Sequence, residues 1–520
     1  MGAGIAFVAA AAGYRVDLVE PDVDARDRAR ARIDRAAARA GDDAIVARIA
    51  FLDAIPERSA AALAIEAVPE RFDLKRDVFI ALASAISTQA LLATNTSSLS
   101  VSDLADAVEH PERVVGLHFF NPPEAMNLVE IVHSERTADD ALDRAFNFVQ
   151  RIGKTPVGAA NTPGFIVNRI ARPYYLQAMR ALERGVAPVS ELDALARSAG
   201  FKMGPFELMD FIGLDVNLAT SESVYERTQA PRFAPSAMQR EMVVAGKLGR
   251  KSGEGFYDYR AGTPERRDAV AAPEDGVTNA DEFVVVVGFG GLADELAERL
   301  EQRYERVDRI ENDEMLDETP LGATIVFDAG DGASDRSEVV AELASVLGPE
   351  TVIFVDAYAT DLNACTNRMR HPQRLVGYGV LGSLAGQRAV EIVDSDEVSD
   401  DSLELAQELF ESLGFGVVLV GDVPGLFLGR TVGSIVNEAM TVVYDDVATP
   451  DDVDLAMRLG TNYPIGPIAW GREIGGKRVA RILQRLADAE GIEFAPHRSL
   501  WVLDVDQEAP QAVESDAARS

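Results

Sequence analysis

His118 and Glu130 stand twelve residues apart, and each sits inside an apolar run. Arg113-Val114-Val115-Gly116-Leu117 leads into His118, and Leu128-Val129 and Ile131-Val132 flank Glu130. Both runs read as buried strands, and Asn121-Pro122-Pro123 forces a loop between them. Two neighbouring strand ends then bring an imidazole and a carboxylate together. A carboxylate on one ring nitrogen fixes the tautomer and raises the basicity of the other, which suits a general base near neutral pH. For an isolated pair the competing reading is a core histidine beside a solvated strand-end glutamate. The surrounding residues reverse that balance.

Those residues are long strings in a consistent order: NTSSL at 95–99, LHFFNPPEAMNLVEIV at 117–132, TPGFIVNRI at 162–170 and MGPFELMDFIGLD at 203–215. Together they resemble the 3-hydroxyacyl-CoA dehydrogenase family. The resemblance implies oxidation of a 3-hydroxyacyl-CoA by NAD, with 3-hydroxyadipyl-CoA or 3-hydroxybutyryl-CoA as the substrate. It makes His118 the catalytic base and Glu130 the carboxylate that orients it. Ser97 would bond the substrate 3-oxygen and lie against the nicotinamide, and Asn168 would help polarise the acyl group. Glu70, Lys75, Asn121 and Lys251 would approach the cofactor. A charged helical arm over residues 25–47 meets the CoA nucleotide in relatives through Ser and Lys; here Arg35 and Arg39 are the substitutes. No metal is implied.

A dinucleotide-binding fold opens strand, G-x-G-x-x-G, helix, so that backbone can approach a pyrophosphate at the helix N-terminus. The chain opens Met1-Gly2-Ala3-Gly4-Ile5, with Gly2 in the third glycine's place. Glu20, at the end of the following strand, is placed to bind the adenosine ribose hydroxyls and disfavour a 2′-phosphate. The first Rossmann strand and two glycines are missing from this pattern. That strand is central in the sheet, so its neighbours either close up or the natural reading frame begins upstream; the second is the expectation. The stretch Gly2 to Gly13 reads as a helix feeding a strand, not as a targeting segment.

Internal comparison finds a second copy. Arg113-Val114-Val115-Gly116 and Val129-Glu130-Ile131-Val132 recur 261 residues later as Arg374-Leu375-Val376-Gly377 and Val390-Glu391-Ile392-Val393. Near the start Glu20 pairs with Glu311, so the second copy is about an arm's length shorter. His118 aligns with Gly379, Asn121 with Gly382, Asn168 with Gly429 and Ser97 with about Tyr358. The glycine turn persists as Gly288-Phe289-Gly290 with Ala293 third. This half lacks a base, and it reads as a pseudo-subunit that mimics a dimer partner.

The expected fold is therefore an α/β Rossmann domain plus an all-α C-terminal domain, followed by a degenerate second copy of both, with the first Rossmann strand missing. Expected boundaries are 1–161 for the NAD-binding domain, 162–260 for the helical domain, 261–281 for a linker, 282–422 and 423–503 for the second copy, and 504–520 for an acidic tail. Such tandem copies resemble most the phenylacetate-pathway members of the family. A dicarboxylic acyl chain would want a cation; Arg172 is a candidate, and a surface or interface ion pair is an equal reading of it.

Composition sets the frame. The 520-residue chain is too long for one core. Its net charge of −35 argues against nucleic acid or an anionic membrane as partner. Arginine outnumbers lysine, which suits either a salt-rich cytoplasm or a GC-rich genome. One cysteine, Cys365, fits a reducing, cytoplasmic setting. The expected partners are an acyl-CoA and a second chain in a homodimer. The rival function is a catalytically weakened dehydrogenase-like scaffold or binding protein. A scaffold need not keep His118, Glu130, Ser97 and Asn168 together.

Overall fold

The computed structural model describes residues 1–266, 282–288, 290–310, 322–330, 335–384 and 386–505. Phe289, Glu311, most of the expected linker and nearly all of the acidic tail lie outside them. The chain packs as two compact units that do not follow chain order. The first contains Met1–Ile170, Glu226–Thr228 and Val442–Asn462, and the second the remainder.

In the first unit, helix Gly2–Ala11 leads into β1 (Val16–Val19), which pairs in parallel with β2 (Ile49–Leu52). Between these strands, Asp22 caps the helix Val23–Ala40 by accepting from the Ala25 amide at 2.6 Å. A separate five-stranded sheet runs β3 (Leu63–Glu66), β4 (Leu91–Thr94), β5 (Val114–Phe119), β6 (Leu128–His133) and β7 (Thr155–Ala160). Every pair is parallel except β5–β6. β5 and β6 are buried almost throughout, as their unbroken apolar runs require of a sheet covered on both faces. The two sheets do not pair with each other. The closing-up of neighbours weighed from the sequence does not occur.

The second unit carries one seven-stranded sheet in the order β14-β13-β12-β11-β10-β8-β9. Its strands are β8 (Phe283–Val287), β9 (Arg306–Ile310), β10 (Ile325–Asp328), β11 (Val352–Asp356), β12 (Leu375–Gly379), β13 (Ala389–Val393) and β14 (Gly416–Val420). β8 lies between β9 and β10 and pairs with both. Among the described residues of the first copy no strand pairs with both β1 and β3, which lie in separate sheets. The helix Val189–Ser198, from the first copy's helical domain, packs on β13, and Arg388 donates its amide to the Ser198 carbonyl at 3.2 Å. In the first unit the second copy's helix Pro450–Thr461 packs likewise on β6 and β7. Each Rossmann half takes a helical cover from the other copy.

Candidate active site

Antiparallel register sets His118 directly opposite Glu130 on β5 and β6. Side chains of directly opposed residues share a face and stand close enough to bond. His118 Nδ1 lies 2.5 Å from Glu130 Oε2. The other carboxylate oxygen, Oε1, accepts the backbone amides of Ile166 and Val167 at 3.1 and 2.9 Å. Those amides open the short helix Val167–Ile170, and they hold the carboxylate with no freedom to turn. Glu130 is fully buried and His118 is 6% exposed. The Phe120 and Phe165 rings stand 4.6 and 5.8 Å from the imidazole. With Nδ1 engaged by the carboxylate, Nε2 is the nitrogen left for chemistry.

The loop after β4 is built as firmly. Asn95 Oδ1 accepts the Phe119 amide at 2.9 Å, tying that loop to the end of β5. Glu70 Oε1 collects Thr96 Oγ1 at 2.5 Å, the Ser97 and Ser98 amides at 2.9 Å each, and Ser98 Oγ at 3.0 Å. Burial alone would raise this carboxyl, but Lys75 and those donors hold it below the ordinary range. Asn168 Nδ2 donates to the Ser97 carbonyl at 3.1 Å, so Asn168 and Ser97 are brought together as expected.

The other expected site residues lie in varied surroundings. Lys75 does not present its ammonium outward: it is 1% exposed, and it bonds Glu66 at 2.9 Å, the Val68 carbonyl at 3.1 Å and Glu70 at 3.2 Å. A buried ammonium is tolerable only when so surrounded, and its effect is to anchor Glu70 and through it the Ser97 loop. Arg172 is also buried, donating to the Asn217 carbonyl at 3.3 Å and Ser221 Oγ at 3.1 Å. In this arrangement its guanidinium is engaged by the helical core. Lys251 pairs with Asp215 within the second unit. Asn121 is exposed, Gly2 begins the first helix, and Glu20 directly follows β1, with Oε1 accepting the Asp22 amide at 3.1 Å. Two supports escaped sequence reading: Glu66, at the end of β3, and Arg227, which donates to the Ser98 carbonyl. Neither sits in a motif, so nothing local marks them.

The corresponding place in the second copy is filled. Glu391, the counterpart of Glu130, keeps both amide bonds, from Phe427 at 2.7 Å and Leu428 at 3.1 Å. Tyr358 Oη takes the imidazole's position, 2.5 Å from Glu391 Oε2. Its ring occupies the space of the absent side chains. A Cβ on Gly379 would stand 2.5 Å from Tyr358 Cε1, and one on Gly429 2.7 Å from Cγ. The glycines at the His118 and Asn168 positions are thus what the tyrosine demands. Burial raises Glu391 to about 7 against the opposing bonds from Tyr358 and the amides. A carboxyl raised in the fold stabilises below the ordinary carboxylate range and loses that contribution as pH climbs through about 7. Tyr358→Phe removes a donor the ionised carboxylate needs. It should therefore cost roughly 1–3 kcal/mol at about pH 8 and much less at about pH 5.5, read as Tm at both values. Equal losses would contradict this account.

Family models match both copies: the 3-hydroxyacyl-CoA dehydrogenase NAD binding domain over 1–162 and 286–423, and the C-terminal domain over 164–259 and 425–512. The chain belongs to the 3-hydroxyacyl-CoA dehydrogenase family. It is 37% identical over 504 residues to a 3-hydroxyadipyl-CoA dehydrogenase of Escherichia coli (strain K12), covering 95% of this chain and 93% of that one. It is 37% identical to the mitochondrial hydroxyacyl-coenzyme A dehydrogenase of Sus scrofa, across 50% of this chain and 88% of the relative. A crystal structure of 3-hydroxybutyryl-CoA dehydrogenase from Escherichia coli K12 substr. MG1655 superposes with a TM-score of 0.73 at 34% identity, over 98% of this chain and 97% of that one. As a 3-hydroxyacyl-CoA dehydrogenase it is an NAD-dependent oxidoreductase acting on the CH–OH group of its thioester substrate. Among the described residues no helix is long and apolar enough to cross a membrane.

Proposed function

We propose that the chain oxidises 3-hydroxyadipyl-CoA, or a short 3-hydroxyacyl-CoA such as the 3-hydroxybutyryl thioester, at one active site per chain, the one around His118. The observation that carries this is the 2.5 Å bond of His118 to a Glu130 locked by two amides, set against a second copy whose equivalent place is filled by Tyr358. Bound NAD would supply the acceptor for the hydride that leaves C3. His118 Nε2 takes the proton of the 3-hydroxyl as that hydride leaves, and Glu130 steadies the imidazolium. Ser97 bonds the substrate 3-oxygen, and Asn168 positions the acyl carbonyl from its seat on the Ser97 loop. Gly2, at the N-terminus of the first helix, and Glu20, after β1, belong to the dinucleotide side. There the helix end favours a pyrophosphate and the carboxylate the ribose hydroxyls.

The 3-hydroxyadipyl-CoA dehydrogenase relative, matched over 93% of its length, supports the adipyl chain; with that substrate the proposed setting is phenylacetate catabolism, and with a butyryl chain β-oxidation. A cytoplasmic location and a homodimer, with the second copy acting as an internal pseudo-subunit, complete the proposal; the free, buried Cys365 is compatible with a reducing setting. The deciding experiment follows NADH formation with a series of 3-hydroxyacyl-CoA thioesters. A kcat/KM highest for the adipyl thioester supports the reading. No NAD reduction with any thioester would leave the scaffold alternative standing.

Glu20 should enforce NAD over NADP by repelling a 2′-phosphate. Glu20→Ser should narrow the preference by about tenfold, close to 1.4 kcal/mol in relative kcat/KM. A wild-type preference for NADP would defeat this assignment.

A further inference from the structure

We infer that the second copy supplies positioning residues to the first copy's catalytic pair: Gly460 and Asp445 hold the Phe165–Arg169 turn against Glu130. The inference rests on the dehydrogenase reading above and names what the pseudo-subunit does for it. Segment Val442–Asn462 belongs to the first packing unit although it lies in the second copy's helical domain. Its helix Pro450–Thr461 packs on the helix Val167–Ile170 and on β6, the two elements that bring Asn168 and Glu130 into the site. At the contact a Cβ on Gly460 would stand 2.9 Å from Leu128 Cδ2 and 3.1 Å from Val167 Cγ2. Leu128 and Val167 are 0% and 2% exposed, so neither can swing into solvent to make room. Val167 donates one of the two amides that fix Glu130, and Leu128 precedes Glu130 by two residues on the same face of β6.

Two polar ties hold the segment at this place. Asp445 Oδ2 accepts from Arg169 Nη2 at 3.1 Å, one residue past Asn168. The Ala160 amide donates to the Val447 carbonyl at 2.8 Å. A side chain larger than hydrogen at 460 pushes Val167 outward, and the Ile166 and Val167 amides then leave Glu130. The imidazole keeps its neighbour but loses its fixed aim. A displacement near 1 Å of a catalytic group can cost about 10²-fold in rate.

The test compares Gly460→Leu, Gly460→Ala, Asp445→Lys, Asp445→Glu and the outward-facing control Arg458→Ala in the full chain. Gly460→Leu should lower kcat by about tenfold or more with the KM for NAD little changed, and Gly460→Ala should lose much less. Asp445→Lys should lower kcat by repelling Arg169, and Asp445→Glu should restore it. Amide hydrogen exchange over residues 163–170 should quicken in Gly460→Leu and Asp445→Lys but not in Arg458→Ala. Wild-type kcat together with unaltered exchange in these two variants would overturn the inference. If Gly460→Leu fails to fold, the Asp445 pair decides, since that side chain is 45% exposed and tolerates replacement. If the wild-type chain shows no dehydrogenase activity the proposed function falls, and hydrogen exchange still decides whether this segment holds the turn.

Discussion

His118→Gln should leave the chain folded and NAD affinity intact while lowering kcat by about 10²–10⁴-fold, the usual worth of a positioned general base. Glutamine retains an amide that can bond Glu130, so the buried carboxylate keeps a donor and the packing of Phe120 and Phe165 is disturbed little. What it lacks is a ring nitrogen able to carry the substrate proton. The measurement is kcat with the best thioester from the substrate series, with thermal shift on adding NAD as the control for folding and cofactor binding. A variant as active as the wild type would remove His118 from the mechanism. The second copy has made the same loss naturally, and Gly379 and Tyr358 show how completely the site is rebuilt once the base is gone.

Supplying a strand between β1 and β3 should stabilise the first unit and tighten NAD binding. The edges of both strands are left without a sheet partner on the facing side, whereas β8 occupies that place in the second copy and pairs with β9 and β10. A chain carrying about ten extra residues before Met1, copied from Phe283 to Gly290 and ending Gly-x-Gly-x, would restore a strand of about five residues and the pyrophosphate turn. Tm should rise by several degrees, roughly 4–8 °C per kcal/mol for a small domain and less for a large one. The further rise on adding NAD should grow as well, because ligand bound only to the folded state adds to stability. Equal melting of the two forms, with equal response to NAD, would mean that the two sheets need nothing between them.

Much of this was legible in the residues themselves. Strand periodicity and the Asn121-Pro122-Pro123 loop were enough to predict that His118 and Glu130 would meet, because two adjacent antiparallel strands leave few registers once both faces are buried. The NTSSL and TPGFIVNR strings brought Ser97 and Asn168 into the same expectation, and the Asn168 bond to the Ser97 carbonyl joins them. The tandem copy followed from a constant offset, and the loss of its chemistry from Gly379 and Gly429.

Other features were decided only by tertiary packing. Lys75 has the composition and spacing of a surface residue. Whether its ammonium faces a cofactor or is enclosed by Glu66, Glu70 and the Val68 carbonyl depends on how the helix Phe72–Ala85 docks on β3, which no local pattern encodes. Arg172 in the helical core and Tyr358 on Glu391 are of the same kind, since each is defined by partners 33 or more residues distant. The assignment of Val442–Asn462 to the first unit is more distant still. Periodicity and motifs report what a residue does to its own strand or helix, and so they determined the elements, the paired base and the repeat. Which copy covers which sheet depends on the shape of buried faces hundreds of residues apart, and that complementarity exists only once the chain has folded.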